Sequence, residues 1–216
     1  PTEILVLAYN RAVVVELRNR LDRLFGRLGL SRSASQVHVH TFSALSKVIC
    51  GHSLDNVELK EWEGRLLKTL KANPLVVKKI LPNIKYIMID EFQDITQTRL
   101  ESIFTLQLIY PGVKIFTIGD KNQSIYGFDK KIEGIPESTS PDYYYRQLVE
   151  KINPHEYTMR TNYRSYQKIL DAASVYLKDP RETPVSSRSI MTHEPENYVK
   201  VIQWQKGMKY WTEELP

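Results

Sequence analysis

Short β-branched apolar runs alternate along this chain with longer stretches of helical period. Ile4–Ala8 reads as a buried strand. Val14, Leu17, Leu21, Leu24 and Leu28 then recur at spacings of three and four, with Arg18, Arg20, Arg23 and Arg27 between them. That pattern is an amphipathic helix with a cationic outer face, ended near Gly29. Val37–His40 is a second strand, followed by a helix through Phe42, Leu45, Val48 and Ile49. Leu59, Trp62, Leu66, Leu67 and Leu70 mark a further helix before Pro74. Ile84–Ile89 is a strand ending in Asp90-Glu91, and Leu100, Ile103 and Phe104 open the helix behind it. Val113–Ile118 is a strand ending in Gly119-Asp120. Tyr157–Met159 reads as a strand end, with Tyr166, Ile169, Leu170, Ala173 and Tyr176 in the helix after it, and Val199–Trp204 as a last strand. Pro, Ser and Thr mark loops at Gly134–Asp142 and Asp179–Asn197. Such alternation predicts an α/β fold with a parallel sheet flanked by helices, whose ligands gather at the carboxyl ends of the strands.

Composition narrows the class. The 216 residues, 42% hydrophobic and 25% charged, exclude a disordered chain and allow a sizeable core. A net charge of +5 permits nucleic acid as a partner without demanding it. The single cysteine, Cys50, has no internal disulfide partner, and no apolar stretch is long enough to span a membrane. These features read as a soluble protein of a reducing, cytoplasmic compartment. The chain opens Pro1-Thr2-Glu3 directly onto a buried strand and stops at Pro216 without a closing element, which reads as a fragment.

The chemistry sits after the strands. Tyr86 to Ile89 delivers two adjacent carboxylates, Asp90 and Glu91, followed by Phe92-Gln93-Asp94. Magnesium takes one or two carboxylates and fills its remaining positions with water and phosphate. Nucleotide hydrolysis also needs a group to orient or deprotonate water. Asp90 for the metal and Glu91 for the water is the natural division. The next strand leads into Gly119-Asp120-Lys121-Asn122-Gln123-Ser124-Ile125-Tyr126-Gly127-Phe128. There Gln123 can sense a terminal phosphate, and Tyr126 and Phe128 offer faces on which bases stack. The third motif is Thr161-Asn162-Tyr163-Arg164-Ser165, with a Tyr to stack on a nucleobase and an Arg to meet phosphate. Two histidines, His38 and His40, stand two apart with no third ligand type nearby and read as structural.

Asp-Glu-Phe-Gln-Asp, then Gly-Asp-x-x-Gln-Ser-Ile-Tyr, then Asn-Tyr-Arg-Ser resembles the UvrD/Rep family of superfamily 1 DNA helicases. Ile4 to Ala12 and Val39 to Ser43 resemble two further motifs of that family, so five motifs occur in order. The resemblance implies a RecA-like P-loop NTPase fold, truncated at both ends. Residues 1–156 would hold most of the first RecA-like domain, with a reduced helical insertion near 51–83, and residues 157–216 the start of the second. It implies an ATP-dependent helicase that moves on single-stranded DNA and acts at DNA junctions, with ATP and Mg2+ as cofactors. Asp90 would bind the metal, and Glu91 would activate water. Gln123 would contact the γ-phosphate. Tyr163 would stack on adenine, and Arg164 would reach the γ-phosphate. Asn10, Arg11, Thr41, Tyr126 and Phe128 would line the DNA path.

The chain also departs from the family pattern. Ala8 stands where a stacking Phe is usual, with Tyr9 beside it as a replacement. Ser43 replaces a histidine, and Asp129 a cation. None of the nine glycines is followed by Lys, so no GxxxxGK[ST] phosphate loop is present. The resemblance places that loop upstream of Ile4. The 216 residues thus carry half a catalytic site, and by themselves are expected not to hydrolyse ATP at a useful rate. The alternative is a non-catalytic nucleic-acid-binding or regulatory protein that keeps the helicase fold.

Overall fold

A computed structural model describes residues 2–120, 123, 143–159, 161–174 and 186–187. They divide into two units, Pro1–Pro154 and His155–Pro216. The first is built on four parallel strands: β1 (Ile4–Ala8), β2 (His38–Thr41), β3 (Tyr86–Ile89) and β4 (Lys114–Thr117), in the order β2-β1-β3-β4. Its helices are α1 (Arg11–Arg27), α2 (Ser31–Ala34), α3 (Phe42–Cys50), α4 (Trp62–Ala72), α5 (Pro74–Ile80), α6 (Gln97–Ile109) and α7 (Tyr143–Ile152). This is the mixed α/β architecture with a parallel sheet that the alternating pattern predicts.

Side-chain alternation assigns the faces. Leu5 and Leu7 of β1 and Ile87 and Ile89 of β3 are fully or almost fully buried on one face, in a cluster with Leu45, Leu66, Leu70, Leu100, Ile103 and Leu106 from the helices. Burial of this many Leu and Ile side chains, at roughly 1.5–3 kcal/mol each, is the main stabilising term. Among the described residues the opposite face is covered only over β1 and β2. There Val6, Ala8 and Val39 pack against Val13, Val14, Leu17, Leu21 and Phe25 in and around α1. Over β3 and β4 the same face stays open: Tyr86, Met88, Phe116 and Ile118 are 37 to 55% exposed.

Several departures from the sequence pattern have physical causes. Leu24 and Leu28 continue the α1 stripe but are exposed. A helix of seventeen residues extends about 25 Å, whereas β1 spans about 17 Å, so the last turns overhang the sheet. Arg18 is exposed with the rest of the arginine row, and its Nη2 also donates to the Val39 carbonyl at 2.7 Å on the sheet's β2 edge. Leu59 lies in a 3-10 turn and is exposed, outside the buried stripe formed by Leu66 and Leu70. Tyr143-Tyr144-Tyr145, which carry no readable period, open α7, where Tyr144 and Leu148 are buried one turn apart.

In the second unit, Tyr157–Met159 is not a strand, and Tyr157 and Met159 are largely exposed. The strand there is β5 (Thr161–Asn162), which pairs in parallel with β6 (Ser186–Ser187) inside the segment expected to be all loop. Helix α8 (Gln167–Ser174) follows β5. The expected strand Val199–Trp204, the loop Gly134–Asp142, and Tyr126 and Phe128 lie outside the described residues.

One ion pair ties the helical layer to the strand exits. Arg99 at the start of α6 donates through Nε and Nη2 to both carboxylate oxygens of Glu63 on α4, each at 2.9 Å. Its guanidinium lies 5.4 Å from the ring centroids of Tyr9 and of Phe42. Ser43 Oγ donates to the same Glu63 carboxylate at 3.3 Å. Both charged side chains are only 18% exposed. Replacing Arg99 with Leu strands a partly buried carboxylate and should cost about 2–4 kcal/mol in urea unfolding. The Glu63→Leu/Arg99→Leu pair should lose distinctly less.

On the β2 edge a cleft of roughly 410 Å3 is lined by Arg18, Asp22, Val37, His38 and His40 among others. Burial first, then Arg18 and His38, push His40 down to about 4. Burial also lowers His38. An unfolded histidine titrates near 6.5, so between about 6.5 and 4 the unfolded chain binds more protons. Stability should therefore fall as pH drops through that window and be level above it. Melting temperatures between pH 7 and 4.5 should show this slope, and His40→Gln should remove most of it.

Candidate active site at the carboxyl edge of the sheet

Register decides which residues meet. Ala8 pairs with Thr41, Leu7 with Ile89, and Ile89 with Thr117, so the four strands finish within one residue of the same level. Asn10, Arg11, Thr41, Asp90, Glu91 and the turn after β4 therefore emerge along one edge.

Asn10 and Thr41 have local duties there. The Asn10 side chain accepts from the Val13 N–H at 3.0 Å and caps α1. The Thr41 hydroxyl accepts from the Ala44 N–H at 3.1 Å and caps α3. Short polar side chains at these positions satisfy helix donors that have no intrahelical partner. Arg11, the first residue of α1, is exposed. Tyr9, the stacking replacement expected for Ala8, is engaged by the Arg99 guanidinium.

The β3 exit is pinned on both sides. Asp90 N–H donates to the Leu7 carbonyl at 3.0 Å, and Phe92 N–H donates to the Ile118 carbonyl at 2.9 Å. Between them Glu91 adopts a left-handed backbone, φ +50° and ψ +49°. A non-glycine residue in that region costs of order 1–2 kcal/mol and persists only where its surroundings hold it. The two flanking bonds supply that hold.

Burial raises the Asp90 carboxyl above the usual range, and the charge of Glu91 adds to the effect. Two adjacent carboxylates of which one is half-desolvated form a hard-oxygen donor pair that a divalent cation would relieve, and this suits Mg2+ with water and phosphate as further ligands. Asp90 and Glu91 are the side chains at this exit that could hold such an ion.

Gln93 joins the β3 exit to the β4 exit. Its Nε2 donates to Glu91 Oε2 at 2.6 Å, and its Oε1 accepts from the Asp120 N–H at 2.9 Å. Gln123 donates through Nε2 to Asp120 Oδ2 and through its backbone N–H to the Asp120 carbonyl, both at 2.9 Å. The structure thus brings Asp90, Glu91 and Gln123 to neighbouring turns. The motif alone gives Gln93 no role, since its partner at Asp120 is distant in sequence.

Tyr163 and Arg164 belong to the second unit, where Tyr163 is 60% exposed. Asn162 Oδ1 accepts from the N–H groups of Arg164 at 2.8 Å and Ser165 at 2.7 Å, an Asx turn that sets the backbone of this motif. Asn162 is a second residue whose task the motif does not state, although Asn at the head of a turn is a signal for it.

Comparison with known proteins bears on this arrangement. Residues 52–142 match the UvrD/REP helicase N-terminal domain. A probable DNA helicase of Mycoplasma pneumoniae is 32% identical over 105 residues, covering 49% of this chain and 18% of the relative. A probable DNA helicase II homolog of Mycoplasma genitalium is 34% identical over 93 residues, covering 43% and 12%. The ATP-dependent DNA helicase srs2 of Schizosaccharomyces pombe is 28% identical over 132 residues, covering 60% and 14%. The chain therefore spans less than a fifth of the length of these relatives. With its ordered motifs and these matches, the chain is similar to the UvrD/Rep-like superfamily 1 helicases, by family model over residues 52–142.

Proposed function

We propose that this chain is part of an ATP-dependent DNA helicase that couples nucleotide hydrolysis to movement on single-stranded DNA and acts at DNA junctions. The observation that carries the reading is the sheet edge on which Glu91, next to Asp90, is joined to the Gln123 turn by hydrogen bonds through Gln93 and Asp120. The fold is read as RecA-like, with residues 1–156 in a first domain and 157–216 opening a second, in a protein of the cytoplasm.

Magnesium, when bound, would neutralise charge on the nucleotide phosphates. Asp90 would hold it. Glu91 would take a proton from the attacking water, its carboxylate aimed by the fixed backbone and by Gln93. Gln123 would report the terminal phosphate to the turn that carries it. Tyr163 would stack on adenine, and Arg164 would meet the γ-phosphate. Asn10, Arg11, Thr41, Tyr126 and Phe128 would follow the DNA backbone and bases.

A phosphate-binding loop has to come from elsewhere in the full protein, and the open sheet face supports a place for it. Right-handed crossovers put α1 on one face as the chain steps from β1 to β2, and α6 on the other as it steps from β3 to β4. A strand that paired with β4 and then led into β1 would lay its helix over Tyr86, Met88, Phe116 and Ile118. Parallel sheets are ordinarily covered on both faces, and among the described residues this face is half covered. The 216 residues alone are accordingly expected to be inactive.

The test is DNA-stimulated ATPase activity of the complete gene product against its Glu91→Gln variant. Loss of a general base should lower stimulated turnover by about a hundredfold or more. A complete protein that binds single strands yet hydrolyses nothing would instead be a binding module on a helicase fold.

A further inference from the structure

We infer that Gln93 is a positioning residue that aims the Glu91 carboxylate and couples it, through Asp120, to Gln123. The inference rests on the hydrolytic reading of this edge. A continuous path of hydrogen bonds runs from Glu91 Oε2 through both ends of the Gln93 amide to the Asp120 backbone, and from the Asp120 carboxylate to Gln123.

The amide can sit only one way round. A backbone N–H donates and never accepts, so the Gln93 atom facing Asp120 is the carbonyl oxygen. That leaves the NH2 group for Glu91, whose carboxylate accepts. Gln93 is therefore a directional strut between an obligate donor and an obligate acceptor. Asn is one methylene too short to reach both, Leu makes neither bond, and Glu keeps the acceptor while losing the donor.

Gly119 supplies independent evidence that the two turns are built against each other. A Cβ there would lie 2.8 Å from Gln93 Oε1, 3.1 Å from the Phe92 nitrogen and 3.2 Å from the Gln93 nitrogen. The backbone thus comes close enough to Gln93 that a side chain at 119 would drive the strut aside.

The backbone of Glu91 is already fixed by its pinned left-handed conformation, so its remaining freedom is in the side chain. The Gln93 bond removes part of it. Any displacement of the Asp120–Gln123 turn moves the Gln93 amide, and with it the carboxylate. A group sensing phosphate at Gln123 can thereby set the alignment of the group that prepares water at Glu91.

The experiment uses the full-length protein and two readouts: hydrogen exchange of the Asp120 amide without nucleotide, and DNA-stimulated ATPase resolved into kcat and KM. Gln93→Leu, which removes both bonds, should raise Asp120 exchange about tenfold, whereas Gln93→Glu, which keeps the acceptor, should leave it near wild type. Both should lower kcat by about tenfold to a hundredfold with KM nearly unchanged. Adding Gln123→Ala to Gln93→Glu should cost little beyond the larger single effect, because both act through one path. Wild-type exchange in Gln93→Leu, wild-type kcat in Gln93→Glu, or additive losses in the double variant would overturn the inference. No turnover in the wild-type protein would overturn the hydrolytic reading and the catalytic part of this inference. The exchange readout would still show whether the strut exists.

Discussion

Everything at the candidate site depends on four parallel strands ending within one residue of a common level. The register pairs Ala8 with Thr41, Leu7 with Ile89 and Ile89 with Thr117, so the first polar residues after each strand are delivered to one edge. A slip of one residue in β3 would send Ile87 and Ile89 to the wrong face and Asp90 below the edge. The apolar cost of that slip is what places the carboxylates. Core burial and site geometry are the same constraint seen from two sides.

The helical layer enforces the arrangement through one polar contact. Arg99, which follows β3 in the chain, is bonded to both oxygens of Glu63 and close to the rings of Tyr9 and Phe42, residues that follow β1 and β2. A partly buried guanidinium needs its donors filled, and only one relative placement of α4 and α6 fills them. The stabilisation is local, but it bears on how the strand exits are spaced. It also explains Ser43, whose hydroxyl adds a donor to the shared carboxylate.

Much of this was legible in the sequence, for identifiable reasons. Ile4–Ala8 was readable because both faces of a central parallel strand are apolar, and Asp90-Glu91 because the switch from apolar to acidic marks the strand's end. Helix α7 was not, because three consecutive tyrosines have no period, and only packing selects Tyr144 with Leu148 as the buried pair. The overhang of α1 needed the length of the sheet beneath it. Gln93 and Arg99 were invisible as functional parts because their partners stand 27 and 36 residues away. Asn10 and Thr41, expected on a DNA path, also have capping work that local sequence rules describe.

The half-covered sheet governs how these residues behave when handled as an isolated piece. Among the described residues β4 is a sheet edge, four residues long with no proline, beside a strip formed by Tyr86, Met88, Phe116 and Ile118. An open edge next to exposed apolar surface is a template for strands of other molecules. Lys114 is the charged side chain on β4 that opposes such pairing. Colloidal behaviour of a fragment cut at these boundaries will therefore follow that strip more than the net charge of +5. Masking it, by extending the boundaries or placing charges at Phe116 and Ile118, is the rational route to a well-behaved sample.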